Sequence, residues 1–164
     1  TCLINRIVNK KFIQNYKQTL GVDFSILRRT NPDTQQKTQI QFWDLAGQDS
    51  VQSLTKVYFK SAQACLLVLD GTDGNLRQTA EKWITITRQN MKEQMPLRIL
   101  LNKSDLPTFQ EEIIEQLAGR YHAQVIATSA LSGQNVTEAV DDLIDEIYKT
   151  TQIALPPQNV IQVA

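Results

Sequence analysis

Three short apolar runs constrain this chain more than anything else in it. They are Ala64-Cys65-Leu66-Leu67-Val68-Leu69, Leu97-Arg98-Ile99-Leu100-Leu101 and Gln124-Val125-Ile126-Ala127. Each has the length of a strand, and each runs into polar, turn-forming residues: Asp70-Gly71, Asn102-Lys103 and Thr128-Ser129. Strands that are apolar almost throughout are what a parallel sheet needs when helices cover both of its faces. Helical periodicity fills the intervals. Leu76, Ala80, Trp83, Ile84 and Thr87 share a face, as do Ile113, Ile114, Leu117 and Tyr121. Val136, Ala139, Val140, Leu143, Ile144 and Ile147 form an i, i+3, i+4, i+7 stripe. Strand and helix in alternation predict βαβ units on a parallel sheet.

The pattern changes upstream. Residues 22–29 and 37–44 read as two strands, with Thr30-Asn31-Pro32-Asp33-Thr34 between them as turn chemistry. So short a connection makes the pair antiparallel. The expected architecture is therefore α/β, a mostly parallel sheet with one antiparallel strand at its edge. Residues 1–10 read as a helix already under way. One domain is expected over 1–149, followed by an extended tail over 150–164 that contains Pro156-Pro157.

Composition removes several classes of function. Lys+Arg and Asp+Glu number 17 each, so no net field favours nucleic acid or an acidic membrane. There is no run of 18 apolar residues and no signal peptide, which leads to a cytoplasmic expectation. Cys2 and Cys65 lie among apolar residues without metal-ligand spacing, and read as reduced core thiols. His122, the only histidine, has no cluster around it and reads as a surface residue.

The residues that carry chemistry sit at strand ends, where open α/β sheets bind ligands. Asn102-Lys103-Ser104-Asp105 follows a buried strand. A carboxylate there can accept two hydrogen bonds, from N1–H and the 2-amino group of guanine. Adenine lacks that pair of donors and would leave the acid unmet, which is costly. The Lys103 stem can lie over the base plane with its ammonium in water. Read blandly, the same tetrapeptide is a strand-end turn. Asp44-Leu45-Ala46-Gly47-Gln48 closes another strand. Asp44 could hold Mg²⁺ through water. Gly47 could let a backbone N–H approach a phosphate. Gln48 could orient an attacking water. The bland alternative is a hairpin exit before a helix. Thr128-Ser129-Ala130 could offer backbone N–H groups to a base oxygen, and Thr19 could complete a Mg²⁺ shell. Alone, each of these two is indistinguishable from an ordinary loop.

In this order and at these intervals, the four segments resemble the Ras superfamily over nearly the whole chain. Leu20-Gly21-Val22-Asp23-Phe24, Phe42-Trp43-Asp44 and Tyr58-Phe59-Lys60-Ser61-Ala62 are similar to segments that mark its Rab branch. The resemblance implies the P-loop NTPase G-domain fold. It also implies GTP or GDP as ligand with Mg²⁺, hydrolysis of GTP, and partners that include effectors, an exchange factor and a GTPase-activating protein. It implies Gln48 as the water-positioning residue and Thr1, Thr19 and Asp44 as Mg²⁺ ligands. Thr1, Cys2, Phe12, Thr19, Asp44, Gly47, Asn102, Lys103, Asp105, Ser129, Ala130 and Leu131 would line the nucleotide. Phe24, Trp43 and Tyr58 would form the aromatic triad that effectors read. The complete parent would act in vesicle traffic on the cytosolic face of an intracellular membrane.

The chain departs from the family pattern in several places. Gly47-Gln48-Asp49-Ser50-Val51 stands for Gly-Gln-Glu-Arg-Phe, and Ser129-Ala130-Leu131 for Ser-Ala-Lys. None of the six glycines is followed by lysine, so the phosphate loop G-x-x-x-x-G-K-[ST] is missing. Aligned with the family, Thr1 is that motif's last residue, and the first strand is missing with the loop. An N-terminally truncated chain is expected, with two bare strand edges, poor folding and weak GTP binding. No Cys-a-a-X box or terminal cysteine pair is present, so a membrane would be reached only through a lipidated tail not in this chain. The alternative reading is a pseudo-GTPase that keeps the fold and binding surface without turnover.

Overall fold

A computed structural model describes residues 1–14, 19–30, 35, 37–47, 58–151 and 159–163, with side chains described up to residue 149. The first helix, α1 (Cys2–Asn9), turns Leu3 and Ile7, one helical repeat apart, into the core. Lys10 ends it in the left-handed region at φ 57°. Then β1 (Val22–Thr30) and β2 (Lys37–Leu45) pair antiparallel, in register from Val22 opposite Leu45 to Thr30 opposite Lys37. Alternation along β2 is strict: Thr38, Ile40 and Phe42 are buried and the residues between them are partly exposed.

The three apolar runs become β3 (Cys65–Asp70), β4 (Leu97–Asn102) and β5 (Gln124–Ala127), all parallel. Between and after them run α2 (Leu76–Asn90), α3 (Ile113–Tyr121) and α4 (Val136–Thr151). Each helix buries the stripe its spacing dictates. On α2 the stripe is Leu76, Ala80, Ile84 and Thr87, with Trp83 packed at its margin. On α4 it is Val136, Ala139, Val140, Leu143, Ile144 and Ile147.

A sixth strand, β6 (Asn159–Val163), pairs in parallel with β2. The strands thus form two three-stranded sheets, ordered β1-β2-β6 and β3-β4-β5. This α/β arrangement, parallel strands with one antiparallel edge strand, is the one read from the sequence. One detail differs, while α4 itself runs on to Thr151. The edge of β2 is not bare, because residues of the tail lie along it. Among the described residues no ladder joins β6 to β3.

The main core unites both sheets. Leu3 and Ile7 of α1, Ile40 and Phe42 of β2, Leu100 of β4 and the α4 stripe form one cluster. A second cluster lies between α2, α3 and the β3–β4 strands. Ion pairs Arg29–Asp141 and Arg98–Glu146 tie α4 to β1 and β4. Partly exposed pairs of this kind contribute at most about 1 kcal/mol each, so burial dominates.

One glycine is needed for space. Gly71 follows β3, donates its N–H to the Asn102 carbonyl at 2.9 Å and accepts from Gln110 N at 3.0 Å. A Cβ there would overlap the Phe109 ring and lie 2.9 Å from the Asn102 carbonyl oxygen. Gly71→Ala is therefore expected to destabilise by about 1–3 kcal/mol, measured by urea unfolding. Gly47→Ala, where a Cβ meets nothing within 4 Å, should leave the midpoint nearly unchanged.

Candidate functional site

The carboxyl ends of β2, β3 and β4 and the loop after β5 bring most of the singled-out residues into two corners. The first is built from β4 and β5. Chain reversal after Asn102 places Lys103 in the left-handed region at φ 71°. Ser104 N donates to the Thr128 carbonyl at 3.0 Å, which ties the β4 exit to the β5 exit. Asn102 Oδ1 accepts from Ala130 N at 2.9 Å. Ser129 Oγ donates to Asp105 Oδ1 at 2.5 Å and accepts from Ser132 N at 3.0 Å. Thr128 and Ser129 are fully buried, while Asp105 is exposed. The small residues of Thr128-Ser129-Ala130 thus let one loop brace both Asn102 and Asp105.

Lys103 is held as well. Its Nζ lies 2.6 Å from Asp70 Oδ2, and Asp70 Oδ1 accepts from Thr72 N at 3.0 Å and Thr72 Oγ1 at 2.7 Å. Partial burial pushes the Asp70 carboxyl up, but the Lys103 and Thr72 hydrogen bonds outweigh it and hold the acid below its usual range. Arg6 of α1 donates Nε to the Ala130 carbonyl at 2.8 Å and Nη2 to the Leu131 carbonyl, fixing the same loop from the other side. Sequence reasoning passed over Asp70 and Arg6. The register of β3 on β4 sets Asp70 opposite Asn102 and so carried a signal for the first. Nothing in the sequence links Arg6 to a loop more than a hundred residues away.

The second corner joins α1, β2 and the segment before β1. Thr1 Oγ1 lies 2.6 Å from Thr19 Oγ1 and donates to Asp44 Oδ2. The Thr1 nitrogen is 3.1 Å from the same carboxylate oxygen. Thr1, Thr19 and Asp44, residues far apart in the chain, therefore converge. Their donor set is two hydroxyls and a carboxylate, all hard oxygen, which suits a small divalent cation such as Mg²⁺. Among the described residues no cluster of His, Cys, Asp and Glu has metal-binding character.

The remaining residues fall as follows. Cys2 opens α1 and is partly buried. Phe12 is exposed, as is Leu131. Gly47 follows β2 by two residues, and the neighbouring Ala46 N donates to the Gly21 carbonyl at 3.0 Å. Gln48 lies outside the described residues. Burial pushes the Cys65 thiol up to about 12, which fits an inert core thiol.

A third group lies on the β1–β2 surface. The rings of Trp43 and Tyr58 sit edge to face at 4.9 Å, and Phe24 meets them at 6.2 and 6.4 Å. Phe24 is opposite Trp43 in the ladder and is half exposed. The triad is thus one contiguous aromatic patch, with the buried Trp43 Nε1 finding no partner among the described residues.

An open α/β sheet whose strand ends gather Asn-Lys-x-Asp, a braced Ser-Ala loop and a hard-oxygen corner defines a nucleotide-binding class of protein. The comparisons place it further. The Ras family model matches residues 1–149, and the chain belongs to that family. It is a divergent Rab-like member. It is 32% identical to Ras-related protein Rab-13 of Rattus norvegicus over 92% of this chain and 75% of that protein. It is 33% identical to Rab-11B of Dictyostelium discoideum, over 89% of this chain and 67% of that protein. It is 28% identical to RabC of the same organism, over 96% and 82%. Among the described residues no helix is long and apolar enough to cross a membrane.

Proposed function

We propose that this chain is the guanine-reading and effector-facing part of a GTP/GDP switch domain, in which the Asn102–Asp105 corner reads guanine. The observation that carries the reading is the brace around Asp105 and Asn102: Ser129 Oγ on one, Ala130 N on the other. It fixes a carboxylate at a strand end, oriented before any base arrives. Such preorganisation lets hydrogen bonds contribute to affinity without first ordering the side chain. Lys103, anchored by Asp70, lays its stem beside the base, and Phe12 and Leu131 cover it.

Thr1, Thr19 and Asp44 would hold Mg²⁺, whose charge offsets that of the β- and γ-phosphates. Gln48 would orient the attacking water, and Gly47 N–H would meet the γ-phosphate. Loss of that phosphate releases the segments around Thr19 and Gly47, and with them the Phe24–Trp43–Tyr58 patch that an effector reads. A place in vesicle traffic, with an exchange factor and a GTPase-activating protein as partners, follows from kinship with Rab proteins.

The test is Mg²⁺-dependent release of phosphate from GTP, with ATP as control. Phosphate release from GTP alone supports the reading. Binding of GTP without release supports the non-catalytic variant, a binding module. Asp44→Ala should abolish the Mg²⁺ dependence and weaken GTP binding in Mg²⁺ by about tenfold or more, measured by competition against a fluorescent GDP. Unchanged Mg²⁺ dependence would remove Asp44 from the metal site.

A further inference from the structure

We propose that Arg6 sets how long this chain retains a guanine nucleotide, as a positioning residue that holds the loop 129–131 in its base-accepting form. The inference rests on the guanine reading above and names what controls that site. The Arg6 guanidinium is committed to backbone carbonyls. Nε donates to the Ala130 carbonyl at 2.8 Å and Nη2 to the Leu131 carbonyl. Nη1 donates to the Lys10 carbonyl at 3.3 Å, at the end of its own helix. Nε and Nη2 lie on one edge of the planar group, so a single fork grips two successive carbonyls. The loop also runs along the stem of the side chain. At Gly133, φ 90°, a Cβ would lie 3.6 Å from Arg6 Cδ.

Ala130 connects this grip to the base corner. Arg6 holds its carbonyl, and its N–H donates to Asn102 Oδ1. The preceding Ser129 carries the hydroxyl that braces Asp105. Both guanine-facing side chains therefore take their orientation from the loop, and α1 fixes the loop through one side chain. The next residue is Leu131, where the family pattern has lysine. A leucine offers a base apolar contact only, so its placement comes from the backbone that Arg6 holds. Without the fork the loop samples other arrangements, and the nucleotide must order it on binding, which subtracts from affinity. Folding needs Arg6 far less. Ala130 is 3% exposed and packs in one cluster with Leu3 and Ile7, so apolar contact keeps the loop against α1.

The test is release of fluorescent GDP from the full chain in Mg²⁺, chased with excess GDP. Arg6→Ala should release it about tenfold faster or more. Arg6→Lys keeps the stem and the charge but not the fork, and should release it at least about fivefold faster. If Arg6→Ala unfolds at lower urea than the parent, Arg6→Lys decides on the same rates. A second measurement separates positioning from general loosening. In an Asp105→Ala background, Arg6→Ala should change GDP affinity by less than about threefold, because both substitutions act on one brace. Release at the parent rate from both Arg6 variants, full rescue by lysine, or effects of Arg6→Ala and Asp105→Ala that multiply would overturn the inference. A parent chain that takes up no GDP overturns the guanine reading itself, and the inference with it.

Discussion

Asp105→Ala is expected to lower the affinity for GDP by about 100-fold or more while leaving that for ADP unchanged. The carboxylate is the acceptor for two guanine donors, and an alanine leaves both unmet on binding. Folding should suffer little. Ser129 Oγ loses its acceptor but keeps the hydrogen bond from Ser132 N, a cost of about 1 kcal/mol. A fluorescent-nucleotide titration read beside a thermal melt separates the two effects. An equal fall for GDP and ADP would make Asp105 a brace of the loop and not a reader of the base.

Phe42→Ala is expected to cost about 3–5 kcal/mol in urea unfolding. The ring is 1% exposed and sits in the cluster that joins α1, β2, β4 and α4. Against a total stability of about 5–15 kcal/mol, that loss is enough to leave much of the chain unfolded at body temperature. Ile26→Ala, on the neighbouring β1 but 42% exposed, should cost well under half as much. Similar losses at the two positions would mean that the β2 interior is not a single packed core.

The parallel half of the fold was legible because its strands are buried on both faces and so read as apolar runs. The helices were legible because their stripes recur at helical spacing over two turns or more. The antiparallel β1–β2 pair followed from the short connection between Thr30 and Lys37. The position of β6 was not legible. Val160, Ile161 and Val163 form too short a pattern to announce a partner, and pairing with β2 is set by tertiary contact alone. In the site, strand-end residues with strong side-chain chemistry, such as Asn102, Asp105 and Asp44, could be named in advance. Their supports could not. Arg6 acts through carbonyls on a distant loop, and Asp70 acts only because β3 and β4 lie in register. Gln48, the proposed water-positioning residue, lies outside the described residues.

The central claim is that this chain reads guanine through Asp105. Calorimetric titration of the full chain with GDP, IDP and ADP in Mg²⁺ tests it most directly, because the three ligands share their phosphates and differ in the base. Inosine keeps N1–H and lacks the 2-amino group, so it should lose one of the two hydrogen bonds. The expected order is GDP tightest, IDP weaker by about tenfold to 100-fold, and ADP weaker than GDP by about 1,000-fold or more. Equal affinities for GDP and ADP would contradict the account.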